Sequence, residues 1–441
     1  MIVNTEQDNT IEGEYLKIIS TDSDHKLEIN LPEDFYITNS ISGNWLIGWG
    51  SNKPLYDAGV ENLRKIDSID FVGKTIIPGK LLRGSGFPDV GQRIVFWNIN
   101  PSGFFKEKQE PVIDAQAWPA FKGESISFGS IIYDSTSQKW VMFIQEVDTA
   151  CMQIYAAISD DLLKWEAANN GNPVFKPGDF KETSWAGIDK SGTIKQTASL
   201  SDIIRYNKKW YFFMDGYDKK GMRHIGIAIA EKSIFGPYKI LPDPVISPGN
   251  KGNWNDECCF YAKVKSFKNK FILAYDGRNQ EGTECMGMAS SGDLLHWENY
   301  DVNPVLDQHT GWRSSVFTTE PCYLETRGDS IFLLAAGAKK FQLGIWTRYV
   351  TRRMYLDKSG NVNDTQLGVF LSVDGGKSFI PYKNNPIFVN DYSDLNENDH
   401  MGGCFKLIKT DTADFIFYTA KTSYPIFKYN IFCRIKRKVN I

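Results

Sequence analysis

An all-β fold, a β-propeller of four-stranded antiparallel blades, is what this sequence predicts, and three observations predict it. Short apolar and aromatic runs separated by polar turns fill the chain from about residue 90 onward. A longer segment with a turn, an aromatic and a Pro recurs between them. Helical periodicity is almost absent after residue 70.

The long repeat reads "ISDDLLKWEAANNGNPVF" (158–175), "ASSGDLLHWENYDVNPVL" (289–306) and "LSVDGGKSFIPYKNNPIF" (371–388), with a looser copy, "AEKSIFGPYKILPDPVI" (230–246). Asp and Ser bond their own turn backbone, and Gly accepts positive φ. Trp165, Trp297, Phe379 or Tyr238 then supplies an aromatic for packing between sheets. The Pro lacks an N–H and suits a strand end leaving the sheet.

Ahead of each copy stands a strand, a polar turn and an aromatic-rich strand. These inner pairs are "SIIYDSTSQKWVMFIQ" (130–145), "DIIRYNKKWYFFMDG" (202–216), "CFYAKVKSFKNKFILAYDG" (259–277), "PCYLETRGDSIFLLAAG" (321–337) and "CFKLIKTDTADFIFYTA" (404–420). Five inner pairs at intervals of roughly sixty to eighty residues predict five blades. The chain runs out during the fifth, so another segment must complete it. "RIVFWNINPSGFFKEKQEPVI" (93–113) aligns with the outer pattern and is expected to do so, which removes exposed sheet edges. Its "WNINPSG" then reads as an outer hairpin turn, with Asn100 facing away from the axis. Residues 1–90 form an N-terminal extension packing on the propeller, 91–441 form the propeller, and 91–115 complete its last blade. Residues 57–66 are the best short-helix candidate, and six blades stay open if "NWLIGWGSN" (44–52) begins another.

The chain has 441 residues and a formal charge of −3, which gives no electrostatic reason to expect nucleic acid. No apolar run is long enough to span a bilayer. The start, "MIVNTEQDNTIEGEY", does not read as a signal peptide, so a cytoplasmic location is expected, with a processed secreted form left open. Seven irregularly spaced Cys argue against a disulfide framework and against a Cys-x-x-Cys zinc site. No cofactor is expected, and the oligomeric state is not legible.

In a propeller the first strands line a central funnel. Their beginnings lie at the same mouth as the ends of the second strands, because the two are antiparallel. That places Glu124 and Ser127, Asp202 with Asp189 upstream, Trp254-Asn255-Asp256-Glu257-Cys258, Glu320-Pro321-Cys322 and Asp399-His400 around one opening. Second-strand ends add Asp215, Asp218, Asp276 and Arg278, and approaching loops add Trp185, Trp312 and Arg313. Asp215 and Asp276 each precede Gly and read as turn residues. Carboxylates around a cleft suit glycosidic bond hydrolysis: one protonates the leaving oxygen, and another attacks or activates water. Trp254 and Trp312 are candidate stacking platforms for a sugar ring.

With "SxDLxxW…NPVL", Glu257-Cys258 and Glu320-Pro321 in view, the chain resembles the five-bladed propeller glycoside hydrolases of families 43 and 32 and their relatives, over roughly residues 90–441. The resemblance implies Glu257 as general acid and Asp202 as the acid that tunes it. His400 would sit below the site near water or a structural cation. It further implies a first-blade Asp as base or nucleophile, where this chain has "GESISFGSII". Either Glu124, Glu320 or an N-terminal acid such as Asp89 takes that part, or the chain does not hydrolyse sugars in the usual manner. Trp254, Asp256, Trp312, Arg313, Asp189 and His400 are the expected substrate-binding residues. The implied function is hydrolysis or transfer of a glycosyl unit on a small or oligosaccharide substrate. The alternatives are a non-catalytic sugar-binding propeller and a propeller recruited to non-sugar biosynthesis.

Overall fold

A computed structural model describes residues 110–115, 125–146, 153–187, 198–307, 313, 320–337, 367–382, 385, 387, 404–420 and 429–438 with their side chains. For the remaining strands it gives backbone pairing alone. The short-helix candidate at 57–66 lies outside the described residues.

In the N-terminal region β1 (Ile11–Gly13), β2 (Leu16–Thr21), β3 (Lys26–Asn30) and β6 (Ser68–Asp70) form one sheet in the order β1-β2-β3-β6. A second sheet, ordered β4-β5-β8-β7, contains β4 (Phe35–Ile41), β5 (Asn44–Trp49), β7 (Ile76–Leu82) and β8 (Arg93–Ile99). The segment aligned above with the outer strands of the last blade therefore divides. Arg93–Ile99 is bonded to β5 and β7, whereas the Val112 and Ile113 N–H groups both donate to the Ile431 carbonyl (2.8 and 3.3 Å). Backbone pairing partners, set by the earlier strands, override the sequence alignment.

The rest of the chain is a succession of antiparallel meanders. β9 (Ser125–Asp134), β10 (Lys139–Val147), β11 (Ile154–Ser159) and β12 (Glu166–Ala167) form the first. The second comprises β13 (Ser199–Tyr206), β14 (Lys209–Tyr217), β15 (Arg223–Ala230) and β16 (Tyr238–Ile240). The third, β17 (Cys258–Phe267), β18 (Lys270–Arg278), β19 (Glu284–Ser291) and β20 (Trp297–Asn299), joins the second through a single parallel pair, Arg223 with Cys258. Next come β21 (Pro321–Arg327), β22 (Ser330–Gln342), β23 (Asn361–Ser372) and β24 (Ile380–Pro381). Three strands, β25 (Lys406–Lys409), β26 (Ala413–Lys421) and β27 (Tyr429–Arg437), end the series, with Ile113 bridged to the outermost.

The Pro-containing repeat has one structural job. Phe175, Ile246 and Leu306 bridge to Ile154, Ile225 and Met286 at the start of each third strand, as Ile113 does to Ile431. The turn ahead of it is equally repetitive. The Ser159 Oγ accepts the N–H groups of Asp161 and Leu162, and the Ser291 Oγ those of Asp293 and Leu294. Leu162 and Leu294 hold positive φ and are buried, and the Trp165 and Trp297 indoles donate to their carbonyls. Buried leucine contacts offset the local backbone strain.

Sheets pack face to face, which explains the apolar second strands. In β14, Trp210, Phe212 and Met214 join the core shared with the first sheet, while Tyr211 and Phe213 join the core shared with the third. Side chains alternate along a strand, so burial on both faces demands an unbroken apolar run. Each such Phe is worth roughly 1.5–3 kcal/mol. Similar cores lie between the third and fourth sheets, the fourth and the last, and the last and the first. The first strands neighbour one another in chain order, β9 with β13, β13 with β17, β17 with β21 and β21 with β25, and β27 of the last sheet returns to β9. Their shared axis positions the site.

Candidate active site

The first strands are not regular. Pairing is interrupted near Gly129 in β9, at Ser201 in β13, at Tyr261 and Ala262 in β17, and at Cys322 in β21. An extra residue re-aims the side chains around it, a common device beside functional sites. These interruptions surround the cluster of charges described below.

At the mouth of the third sheet, Glu257 stands directly before β17. Arg278, at the end of β18, donates from Nε to Glu257 Oε2 (2.8 Å) and from Nη2 to the Cys258 sulfur (3.0 Å), and its Nη1 lies 3.8 Å from Glu284 Oε1. Burial pushes the Glu284 carboxyl well above its usual range, and the charge of Asp276 pushes it further, against the pull of Arg278. One guanidinium thus serves two carboxylates, its planar fork reaching both sides.

Glu320 occupies the matching position in the fourth sheet, directly before β21, and is buried. Its carboxylate accepts the Cys404 N–H (3.2 and 3.3 Å). Burial raises its pKa to about 7; Lys263 and that hydrogen bond oppose the rise, and Asp215 adds to it. Asp215 is itself buried in β14, ion-paired with Arg223, and accepts the Ser201 hydroxyl (2.5 Å). The Arg223 guanidinium lies over the rings of Phe260 (4.6 Å), Tyr261 (5.2 Å) and Tyr217 (5.5 Å). That aromatic box fixes its direction and excludes water from the pair.

Asp215 and Asp276 are therefore not turn residues: both lie inside strands and are buried. The Asp-Gly pattern misleads because the glycines make room for approaching loops: a Cβ on Gly216 would stand 2.7 Å from the Ala186 Cβ, and two neighbouring glycines make room for indoles. A Cβ on Gly226 would stand 2.1 Å from Trp185, and one on Gly277 would stand 2.2 Å from Trp254. Trp185 is fully buried, with its N–H on the Leu241 carbonyl (2.9 Å). Trp254 is half-buried and stacks near Tyr275 (5.7 Å). Its ring wedges the loop against the sheet beside Asp276.

Asp202 lies further along the axis. It accepts from Ser130 Oγ (3.0 Å), Lys406 Nζ (2.9 Å) and the Val264 N–H (3.1 Å). Burial works to raise its pKa, but Lys406 and Lys263 outweigh it and hold the carboxyl below its usual range. Lys263, whose Nζ donates to the Ser201 carbonyl (2.6 Å), stands between Asp202 and Glu320 and pulls on both. Asp202 lines a cavity formed by the far halves of the first strands, and neither Glu257 nor Glu320 lines it.

Of the other expected residues, Glu124, Asp189, Trp312 and His400 lie outside the described residues. Asp256 accepts the N–H groups of Gly252 (2.7 Å) and Gln280 (2.9 Å), tying two loops together. Arg313 is buried, its guanidinium 5.4 Å from the Phe370 ring. Burial lowers its pKa to about 10, against the pull of Cys285, Asp276 and Asp307. At the first strand, Ser125 and Ser127 stand where an acid is expected, both buried. Sequence reasoning missed Glu284, Arg223 and Lys263. Only Lys263 carried a signal, as a lone cation in an otherwise apolar strand beginning.

No family model matches this chain, and no curated protein matches it. Solved structures do share its fold. A glycosyl hydrolase from Bacteroides ovatus is 13% identical, with 81% of this chain and 94% of that one covered at a TM-score of 0.50. A thermostable family-43 glycoside hydrolase is 15% identical over 71% of this chain and 93% of its own, also at 0.50. A structure of an RGII complex is 16% identical, covering 71% and 88%, again at 0.50. The structural neighbours of this chain are glycoside hydrolases of the propeller type, and it shares their all-β fold.

Proposed function

We propose that this chain is a five-bladed propeller enzyme that hydrolyses or transfers a glycosyl unit, with Glu320 as the general acid and Glu257 as the base or nucleophile. The observation that carries the reading is a contrast. Two glutamates hold the same position before neighbouring first strands, in opposite surroundings. Glu257 has an arginine at 2.8 Å, whereas Glu320 is buried and raised to about 7. Carboxyls whose environments differ in this way divide into a proton donor and an ionised partner. The roles are thus exchanged relative to the family expectation for Glu257. The carbohydrate class of substrate rests on the shared fold and on the neighbour whose structure is an RGII complex.

The chemistry follows. The Glu320 O–H transfers its proton to the glycosidic oxygen as the bond from that oxygen to the anomeric carbon breaks. Glu257 either takes a proton from attacking water or bonds the anomeric carbon itself. Arg278 pairs with Glu257 and aims it. Asp202, bonded to Lys406 and lining the far cavity, has no part in the bond breaking.

Glu257→Gln and Glu320→Gln test this against an oligosaccharide panel across pH 5–9. Each should lose roughly 10²–10⁴-fold in turnover while still binding. Full activity in either variant rejects its assignment. The serines at the first strand favour one second reading, a sugar-binding propeller. Saturable glycan binding with no bond cleavage by the unaltered protein would decide for it.

A further inference from the structure

The far end of the central axis carries a feature that glycosyl chemistry does not use. The second halves of β9, β13, β17, β21 and β25 enclose a cavity of about 390 Å³. Cations dominate the charged residues of its lining: Lys263, Lys265, Lys406, Arg205 and Lys409. Lys409 is neutralised by an ion pair with Glu325. Against the other four stands one carboxylate in the lining, Asp202. Asp202 is already shared between Ser130, Val264 and Lys406.

Three of these cations are fixed by the fold. Lys406 is held by Asp202 at 2.9 Å, Lys263 is buried with its Nζ on the Ser201 carbonyl, and the Arg205 Nη1 donates to Ser135 Oγ at 2.6 Å. The lysines also oppose one another: burial lowers the Lys406 pKa, and the charges of Lys263 and Lys265 lower it further. Like charges brought together in a concave site favour an anion, whose field cancels their repulsion. Converging ammonium and guanidinium donors suit tetrahedral oxygens. The walls add Tyr133, Trp140 and Tyr323, flat surfaces for the remainder of a small molecule.

We propose that this distal cavity is a binding site for a phosphate group, free or carried as a monoester on a small molecule. It is separate from the Glu257–Glu320 mouth and does not depend on the function proposed there.

The test is isothermal titration of the full chain with inorganic phosphate, glucose 6-phosphate and glucose, at constant ionic strength set with sodium chloride. Saturable binding of phosphate or of the phosphorylated sugar, and none of glucose, is the expected result. Tighter binding of the monoester by about tenfold or more identifies an ester as the ligand, and equal affinities identify free phosphate; either supports the site. Arg205 is exposed and Lys265 half-buried, so Arg205→Glu and Lys265→Glu are compatible with folding, which circular dichroism checks. Each should weaken binding about tenfold or more. Glu257→Gln, at the other mouth, should leave it unchanged. No saturable binding of either phosphate compound overturns the proposal. So does binding that survives both charge reversals or is lost in Glu257→Gln.

Discussion

Arg278 Nε lies 2.8 Å from Glu257 Oε2, and the same guanidinium bonds the Cys258 sulfur and approaches Glu284. Three groups around one planar cation impose a fixed direction on Glu257. Lysine keeps the charge but cannot reproduce the fork. On a confirmed substrate, Arg278→Lys should lower kcat about tenfold or more while the fold, read by circular dichroism, stays intact. Unchanged kcat would show that Glu257 needs no such positioning.

Glu320 gives a pH signature of its own. Its folded pKa is raised to about 7 from the ordinary carboxyl value of 4.5. The folded state therefore holds a proton that the unfolded chain releases, a stabilisation present below the unfolded value and lost as pH rises through about 7. The difference amounts to roughly 3 kcal/mol. Glu320→Gln stays neutral and can still accept the Cys404 N–H. Urea unfolding should find the variant more stable than the unaltered protein at pH 8.5 by up to roughly 3 kcal/mol, with the gap closing towards pH 5. A gap independent of pH would contradict the raised carboxyl.

Asp202 and Lys406 form a buried pair whose value appears only in a double-mutant cycle. Lys406→Met strands the carboxylate and should cost roughly 3–5 kcal/mol. Asp202→Asn with Lys406→Met should recover most of that loss. Because Asp202 lies below its usual range, its own stabilisation is in place above about pH 4 and disappears as pH falls through the folded value. Additive single effects would mean that the two do not interact.

Packing at the indole wedges is equally testable. Gly226→Ala places a methyl 2.1 Å from the ring of Trp185, which is fully buried and has no room to move. Overpacking of this kind costs roughly 1–3 kcal/mol, readable as a lower urea midpoint. Wild-type stability in Gly226→Ala would mean that the indole is free to shift.

Legibility in the sequence followed the range of the interaction. The Ser-x-Asp-Leu-Leu-x-Trp turn closes within seven residues through the Ser159 and Trp165 bonds, so its repeats revealed the sheets. Pro111–Ile113 fell into place for the same reason, because each Pro-containing copy docks on the start of a third strand. Arg93–Ile99 did not, since it pairs with β7 directly before it and with β5, and both belong to a sheet of the N-terminal region. Asp215 and Asp276 looked like turn residues because the groups filling the space beside their glycines, Ala186 at Gly216 and the Trp254 indole at Gly277, come from separate loops.

The sequence alone determined an all-β chain of repeated strand pairs and placed Glu257 and Glu320 at strand beginnings, because local turn chemistry and alternation of side chains suffice for that. The tertiary structure decided which charges meet. It put Arg278 on Glu257, buried Glu320 beside Asp215, and held Asp202 with Lys406 towards the other end of the axis. Electrostatic environment depends on burial and on neighbours from other sheets, which no local pattern encodes.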